Sequence, residues 1–268
     1  MINKKYLKNL RSKETNKEND FIFDLYNERI IDSLDIINVN FKKILILGNH
    51  GKKITKFIHE KYKDNSLTIY DLSLNCFDLD DWEKEKEKYD LIISNFYLFL
   101  SENLDNLFQK IINSLNSNGF FIATMPTKEN FNSLKEAMIK TDIELYGGAY
   151  NRFNQFLNLE DIIKLLKNNN FKIPLVNLEN IKLEYKKLDN LLSDIRSMKL
   201  SYFNEDKKQK FESRHYLVKL EKNFKKNNQN NYIISTNFYI VSGWKDHHSQ
   251  QKPLRPGQAK NSLKEFLK

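Results

Sequence analysis

Three short polar stretches, each directly after a run of apolar residues, hold the side chains best suited to bind a ligand. They are Gly48-Asn49-His50-Gly51, Asp71 and Ser94-Asn95. Small residues let a ligand approach the backbone, a carboxylate accepts both hydroxyls of a ribose, and a serine or asparagine can bond a base or an amino-acid group. Together they predict a nucleoside ligand. The alternatives are an ordinary strand-to-helix turn for the glycine loop and a helix cap for Asp71.

A parallel sheet would bring these three stretches to one edge. The apolar runs that predict buried strands are residues 43–47, 67–70, 89–93 and 119–124. Amphipathic segments that predict helices lie at 25–37, 54–62 and 104–115. Alternating strands and helices are typical of a parallel sheet with helices on both faces, and such sheets bind ligands beyond the carboxyl ends of their strands. The predicted fold class is therefore α/β, with a mostly parallel, Rossmann-like sheet.

The second half of the chain begins with two adjacent glycines. Gly147-Gly148 opens an aromatic loop of low charge that contains Arg152, one of only six arginines. A glycine pair in a chain with only seven glycines implies positive φ or close backbone approach, so we expect a functional loop. The elements predicted after it are a helix capped by Asn158, a strand over 171–178, helices near 187–200 and 204–226, and a last strand over 232–241.

No linker is long enough to split the chain into independent domains. We expect residues 1–20 to form a charged N-terminal arm and residues 21–268 to form one domain. Within that domain, residues 21–140 would be the half that binds the nucleoside ligand, which is the cofactor half in the resemblance described below. Residues 141–268 would be the half on the substrate side, and they end in a basic tail.

The positive charge is concentrated near the C-terminus. Residues 1–200 carry 30 basic and 29 acidic side chains, whereas residues 201–268 carry 14 and 6, which is +8 of the total +9. The excess of lysine (38) and asparagine (35) indicates an AT-rich genome. No basic segment is interleaved with aromatic residues as in single-strand binders. We therefore expect an acidic protein partner attracted by the tail, and no nucleic acid.

Cysteine content, the N-terminal sequence and the apolar stretches together predict the cellular compartment. Cys76 is the single cysteine, which excludes a disulfide framework and a cysteine-based zinc site. The first 20 residues lack the apolar core of a signal peptide and include three acidic residues. The longest apolar stretch, 91–100, is shorter than the ~20 residues of a membrane span. We expect a soluble, cytoplasmic protein with no transmembrane segment.

The last motif follows the final strand. It reads Ser-Gly-Trp-Lys-Asp-His-His-Ser-Gln over residues 242–250. Two histidines beside an aspartate are metal-ligand types, but three consecutive residues point in different directions and cannot readily share one face of a metal. We expect no metal here. Trp244 is expected to pack or to form a pocket wall.

These residues together resemble the class I S-adenosylmethionine-dependent methyltransferases. The closer resemblance is to the family of mitochondrial and alphaproteobacterial complex I assembly factors regarded as arginine hydroxylases. A more distant one is to the malonyl-carrier-protein methyltransferase of biotin synthesis. The resemblance covers residues 20 to 268 and is strongest in three parts: 89–125, 147–156 with the following helix, and the residues Gly243, Trp244, Lys245, His247, Ser249, Gln250, Pro253 and Arg255.

The resemblance implies a fold, a cofactor and two sets of site residues. The fold would be a seven-stranded sheet with an antiparallel last strand, and the cofactor S-adenosylmethionine. Residues implied for cofactor binding are Gly48, Asn49, Gly51, Asp71, Asp78, Ser94 and Asn95. Residues implied for substrate binding are Gly147, Gly148, Arg152, Trp244, His247 and Arg255. The substrate would be a protein, for instance a complex I subunit, and the reaction methylation or arginine hydroxylation. No residue is nominated as the catalytic base, because methyl transfer mainly requires alignment.

Two other functions stay open. The family has an acidic residue where this chain has Ile46, glycines where it has His50 and Lys52, and an aromatic-histidine pair where it has Phe99-Leu100. Those departures would suit a non-catalytic assembly or interaction protein that keeps the fold but has lost the cofactor. The third function is O-methylation of a small molecule or a carrier protein. The sequence does not indicate the oligomeric state.

Overall fold

The computed structural model describes residues 2–12, 21–48, 52–72, 77–82, 88–198, 200–208 and 212–250. Its strands are β1 (Lys43–Leu47), β2 (Ser66–Tyr70), β3 (Tyr89–Asn95), β4 (Leu115–Pro126), β5 (Lys172–Tyr185) and β6 (Tyr232–Trp244). Its helices are α1 (Lys4–Ser12), α2 (Phe21–Asp35), α3 (Lys52–Lys61), α4 (Leu104–Ser114), α5 (Asn132–Tyr146), α6 (Leu159–Asn168), α7 (Leu188–Ser197) and α8 (Arg214–Asn223). A short 3-10 helix, Leu98–Leu100, follows β3.

The strands form one sheet in the order β2-β1-β3-β4-β6-β5. The first four are parallel, and β6 runs antiparallel to both β4 and β5. This confirms the expected α/β class with an antiparallel last strand. The described residues contain six strands where the family resemblance implied seven. Six is also the number of strands that the apolar runs themselves predict.

The central strands are apolar on both faces because helices cover both sides of the sheet. Ile44 and Ile46 of β1 pack into one core with α2, α3 and α8, whereas Leu45 and Leu47 pack into a second core with α4 and α6. A strand buried on both sides reads as a continuous apolar run, which is why β1 and β3 are visible in the sequence.

Two helices depart from the expectation. The charged arm expected over residues 1–20 contains α1, and Leu7 on that helix is only 2% exposed. The segment 132–146 forms α5, a helix of 15 residues. The sequence of α5 has no strong apolar stripe. The structure also extends the strand predicted at 171–178 to Tyr185, paired with Tyr232.

Gly243, at the end of β6, packs closely against the side chain of Phe171. A Cβ built there would lie 3.0 Å from two carbon atoms of the Phe171 side chain. We expect Gly243→Ala to lower the free energy of unfolding by about 1–3 kcal/mol, because a well-packed core resists added volume. Urea denaturation measures the change. Gly148→Ala is the matched control, since a Cβ added there would meet no atom within 4 Å, and equal stability of the two variants would contradict the prediction.

Candidate functional site

The carboxyl ends of β1, β2 and β3 bring the predicted cofactor residues to one edge. The parallel register places Leu47 beside Tyr70 on one side and Ser94 on the other. Gly48, Asp71 and Asn95, the residues that follow these three, are therefore neighbours in space. The N–H of Gly48 donates to the carbonyl of Tyr70 at 2.7 Å, and Gly48 has a φ of +91°, which favours glycine at this turn. Asn49 and Gly51 lie outside the described residues.

Asp71 lies at the end of β2 and is fully buried. The segment beside it is held by Tyr97, whose hydroxyl accepts from the N–H of Leu72 at 2.7 Å and donates to the carbonyl of Phe77 at 3.2 Å. A buried carboxylate at a strand end has the chemistry to accept the two hydroxyls of a ribose. Asp71 is thus in the position that the ribose role requires.

Ser94 and Asn95 are at the same edge, but their polar atoms bond to protein groups. The Ser94 hydroxyl donates to the Leu47 carbonyl at 3.1 Å. The Asn95 amide donates to the side-chain oxygen of Asn27 at 2.6 Å, and its own oxygen accepts from Thr124. Because Asn27 is on α2 and Thr124 on β4, Asn95 ties a helix to the sheet. Its observed bonds stabilise the edge.

Helix α1 covers this edge and forms an ion pair with Asp78. The Lys4 ammonium is 2.7 Å from a carboxylate oxygen of Asp78 and 3.0 Å from one of Asp80. The Leu7 side chain fills the space next to it, and the remaining gap, bounded by Leu72, Phe77, Leu79, Tyr97 and Leu100, measures only about 10 Å³. A gap of that size holds about one water. The acids suit an adenosine group, and Lys4 and Leu7 of α1 occupy the space next to Asp78.

We expect the docking of α1 to weaken at acid pH. Burial alone would raise the pKa of Asp80, but hydrogen bonds from Ser101 and Lys4 outweigh it, so the pKa lies below its ordinary value. A lowered pKa contributes stability above the unfolded pKa of about 4 and loses it as the pH falls through the folded pKa. Hydrogen exchange of residues 2–12, corrected for intrinsic rates, should show protection at pH 7 that is lost as the pH falls below about 4.

Two comparisons separate this effect from general acid unfolding. Residues of α4 should stay protected over the same pH range. The variant Asp80→Asn removes the carboxyl whose pKa is lowered but keeps Asp78 beside Lys4, so the pH-dependent change in the protection of its α1 should be smaller than in the native chain. Unchanged protection of α1 in the native chain would contradict the role given to Asp80.

On the substrate side, the glycine pair ends α5. Gly147 has a φ of +73°, and its N–H donates to the carbonyl of Ile143 at 3.0 Å, which is a left-handed helix cap. At Gly148, an added Cβ would have no atom within 4 Å. The positive φ expected from the pair therefore belongs to Gly147 and is confirmed there.

Arg152 is committed to protein partners. Its Nε donates to one carboxylate oxygen of Asp142 at 2.8 Å, and its Nη2 donates to the other oxygen of that carboxylate. The same Nη2 also donates to Glu212 at 2.7 Å. The guanidinium lies 4.7 Å from the ring centroid of Tyr216. Asp142 is fully buried. Arg152 therefore fixes the 149–156 loop between α5 and the segment before α8.

An open groove lies beside this loop. It has a volume of about 620 Å³ and is lined by α5, the 150–156 loop and the start of α6, including Lys128, Asn132, Lys135, Ile139, Phe153 and Asp161. It lies beyond the carboxyl end of β4, since Lys128 follows Pro126 by two residues. The rings of Phe156 and Phe99 are 5.4 Å apart, and Phe99 is in the 3-10 helix after β3. The groove therefore adjoins the edge that holds Asp71.

Trp244 and His247 lie at the opposite end of the sheet. The antiparallel register pairs Trp244 with Phe120 near the start of β4, and the two rings are 4.5 Å apart. The Lys245 ammonium donates to the carbonyl of Leu115 at 2.7 Å, and His247 bonds Ser249. The structure thus does not bring Trp244 and His247 to Gly48, Asp71 or the groove. Their position follows from the antiparallel direction of β6. Arg255 is outside the described residues.

The described residues contain no group of three or more His, Cys, Asp or Glu side chains placed to hold a metal ion. No helix within the described ranges is long and apolar enough to cross a membrane.

Comparison with protein families decides what kind of domain this is. A methyltransferase-domain family matches residues 34–175, which run from the end of α2 into β5 and include the whole carboxyl edge. The chain belongs to the methyltransferase-domain family. The sheet agrees with this, because a crystal structure of a candidate methyltransferase from Bacillus halodurans superposes with a TM-score of 0.51 at 9% identity, covering 82% of this chain and 98% of the other. At that identity the likeness concerns the fold alone.

Several curated relatives of this methyltransferase-domain protein carry one name. The chain is 30% identical over 190 residues to the mitochondrial arginine-hydroxylase NDUFAF5 of Dictyostelium discoideum, covering 68% of this chain and 42% of the relative. It is 23% identical over 186 residues to the mouse protein of that name, covering 69% and 54%. The human one matches at 22% over 265 residues, covering 93% and 77%. The chain spans about half the length of the first two relatives.

Proposed function

We propose that this methyltransferase-domain protein binds S-adenosylmethionine at the carboxyl edge of its sheet and modifies a protein substrate, a subunit of respiratory complex I. The observation that carries the proposal is the convergence of Gly48, Asp71 and Asp78 on one edge in a chain of this family. Asp71 would hold the ribose hydroxyls and Asp78 the adenine amino group. The substrate is proposed from the names of the relatives and from the groove that adjoins the edge.

The reaction proposed is methyl transfer. A bound S-adenosylmethionine would supply the methyl group of its sulfonium to the acceptor atom, whose proton would leave to a base or to water as the sulfur–carbon bond breaks. The protein has to align the two reactants, and such alignment accounts for a large share of the lowering of the activation barrier. The fixed 149–156 loop and the groove beside it would supply that alignment. Hydroxylation, which the relatives' name gives for them, is the second candidate, and it needs an oxidant as well.

Titration calorimetry with S-adenosylmethionine tests the cofactor. Because Lys4 competes for Asp78 and Leu7 occupies the adjoining space, the measurement should include Lys4→Gln, which we expect to bind at least as tightly as the native chain. Binding by neither protein at millimolar ligand would overturn the cofactor proposal.

Deletion in the native host tests the substrate. Mass spectrometry of complex I subunits should reveal a peptide that lacks one methyl group in the deletion strain, whereas a missing hydroxyl oxygen would indicate hydroxylation. Labelled methyl transfer to a small product would instead favour O-methylation of a small molecule. Unchanged subunit masses in a strain that still fails to assemble complex I would favour the non-catalytic function.

A further inference from the structure

The groove beside the 149–156 loop carries an inference of its own. Its volume of about 620 Å³ lies in the range of ligand sites, about 300–1,000 Å³. The gap beside Leu7 and Asp78 measures only about 10 Å³. Because its inner end meets Phe156, which packs on Phe99, a ligand in the groove would reach toward the cofactor edge.

Lys135 is a cation of the groove for which the described residues provide no ion pair. The Lys135 side chain is half-buried, its ammonium donates to the carbonyl of Lys128 at 2.8 Å, and it lies 5.6 Å from the ring centroid of Phe153. Burial lowers the pKa of Lys135, and the more distant Glu129 offsets only part of that effect. Among the described residues no carboxylate forms an ion pair with Lys135. A half-buried charge of this kind is stabilised when a ligand brings a carboxylate to it.

Arg152 shows the contrast. It lines the same groove, but Asp142 and Glu212 already neutralise it. Asp161, the acid in the lining, belongs to the first turn of α6, where a negative charge is favourable. The positive charge available to a ligand is therefore that of Lys135, with Lys128 next to it.

The remaining wall suits a polypeptide. Asn132 and Gln155 are exposed amides on the groove, and Met138, Ile139 and Phe153 form an apolar surface beside them, with Ile139 47% exposed. Side-chain amides can bond the N–H and C=O groups of an extended backbone, and apolar depressions take its alternate side chains. A small carboxylate alone would leave most of this wall uncovered.

We propose that the groove binds an extended acidic peptide segment, with a carboxylate on Lys135 and an apolar side chain on Met138 and Ile139. That the peptide belongs to the protein substrate rests on the proposed function. The binding itself does not, because none of these residues lies at the cofactor edge.

Fluorescence anisotropy without cofactor tests the proposal. The probe is a fluorescein-labelled peptide of about six residues, roughly 20 Å when extended, with glutamate and leucine at every second position and serine between them, so that both face the same side; its control has glutamine in place of glutamate. We expect the glutamate peptide to bind the native chain, and Lys135→Gln to weaken binding about tenfold, which corresponds to 1.4 kcal/mol. Lys140→Gln, an exposed lysine of the same helix outside the groove, should bind as the native chain does.

Each other result overturns the inference. Equal binding of the two peptides would remove the carboxylate contact, and equal loss in Lys135→Gln and Lys140→Gln would reduce it to general charge attraction. Displacement of the peptide by millimolar succinate as effectively as by unlabelled peptide would show a small-carboxylate site. Absence of binding to the native chain would end the proposal. Because cofactor is absent, failure of S-adenosylmethionine binding is a separate result.

Discussion

Replacing Arg152 with methionine is expected to lower the free energy of unfolding by about 3–5 kcal/mol, the cost of leaving a buried charge without its partner. Asp142 is fully buried, and its carboxylate accepts two hydrogen bonds from Arg152 and one from the N–H of Tyr150. The Arg152 side chain is itself only 15% exposed. Methionine keeps an unbranched apolar stem and removes the guanidinium, so the loss falls on the contacts of that group with Asp142, Glu212 and Tyr216.

Urea denaturation measures this change, and two variants calibrate it. Arg196→Met, at an exposed position on α7, should alter stability by no more than about 0.5 kcal/mol. The double variant Arg152→Met with Asp142→Leu removes both charges and should be more stable than Arg152→Met alone, because an apolar pair avoids the uncompensated carboxylate. If Arg152→Met lost no more stability than Arg196→Met, the pair would be peripheral to the fold.

The parts of the fold that were predictable from the sequence are those with a local physical cause. β1 and β3 are buried on both faces and read as apolar runs, and Asn158 caps α6 by accepting from the N–H of Asp161. Parallel strands place their carboxyl ends together by necessity. The assignment of β1, β2 and β3 as parallel strands therefore predicts that Gly48 and Asp71 lie close together.

The parts that were not predictable depend on partners far apart in the chain. Lys4 and Asp78 are separated by more than 70 residues, and Arg152 and Glu212 by 60. Nothing local marks these pairs, so the sequence does not predict that α1 contacts Asp78 or that Arg152 bonds Asp142 and Glu212. The groove depends on the position of α5 against the 150–156 loop, which is a tertiary feature. The position of Trp244 depends on the antiparallel direction of β6, which places the end of that strand beside the start of β4.

Replacing Asp71 with alanine is expected to weaken binding of S-adenosylmethionine by about 1–3 kcal/mol, the cost of leaving buried polar groups of the ligand without a partner. That corresponds to a loss of roughly 5- to 150-fold in affinity. Calorimetry measures this loss. The matched variant Asp71→Asn keeps one acceptor and the side-chain size, so its affinity for S-adenosylmethionine should lie between those of the native chain and Asp71→Ala. Urea denaturation without ligand shows whether the variants keep their fold.

The same variant separates the enzyme from the non-catalytic assembly protein. If Asp71→Ala folds, loses the cofactor and fails to restore complex I in the deletion strain, then the cofactor is required and the protein acts as an enzyme. If Asp71→Ala folds, loses the cofactor and still restores complex I, the fold alone performs the function, as the Lys4 contact with Asp78 and the filled edge would then suggest. Unchanged affinity in Asp71→Ala would contradict the ribose role, since Asp71 is the acid at the end of β2, where that role requires one.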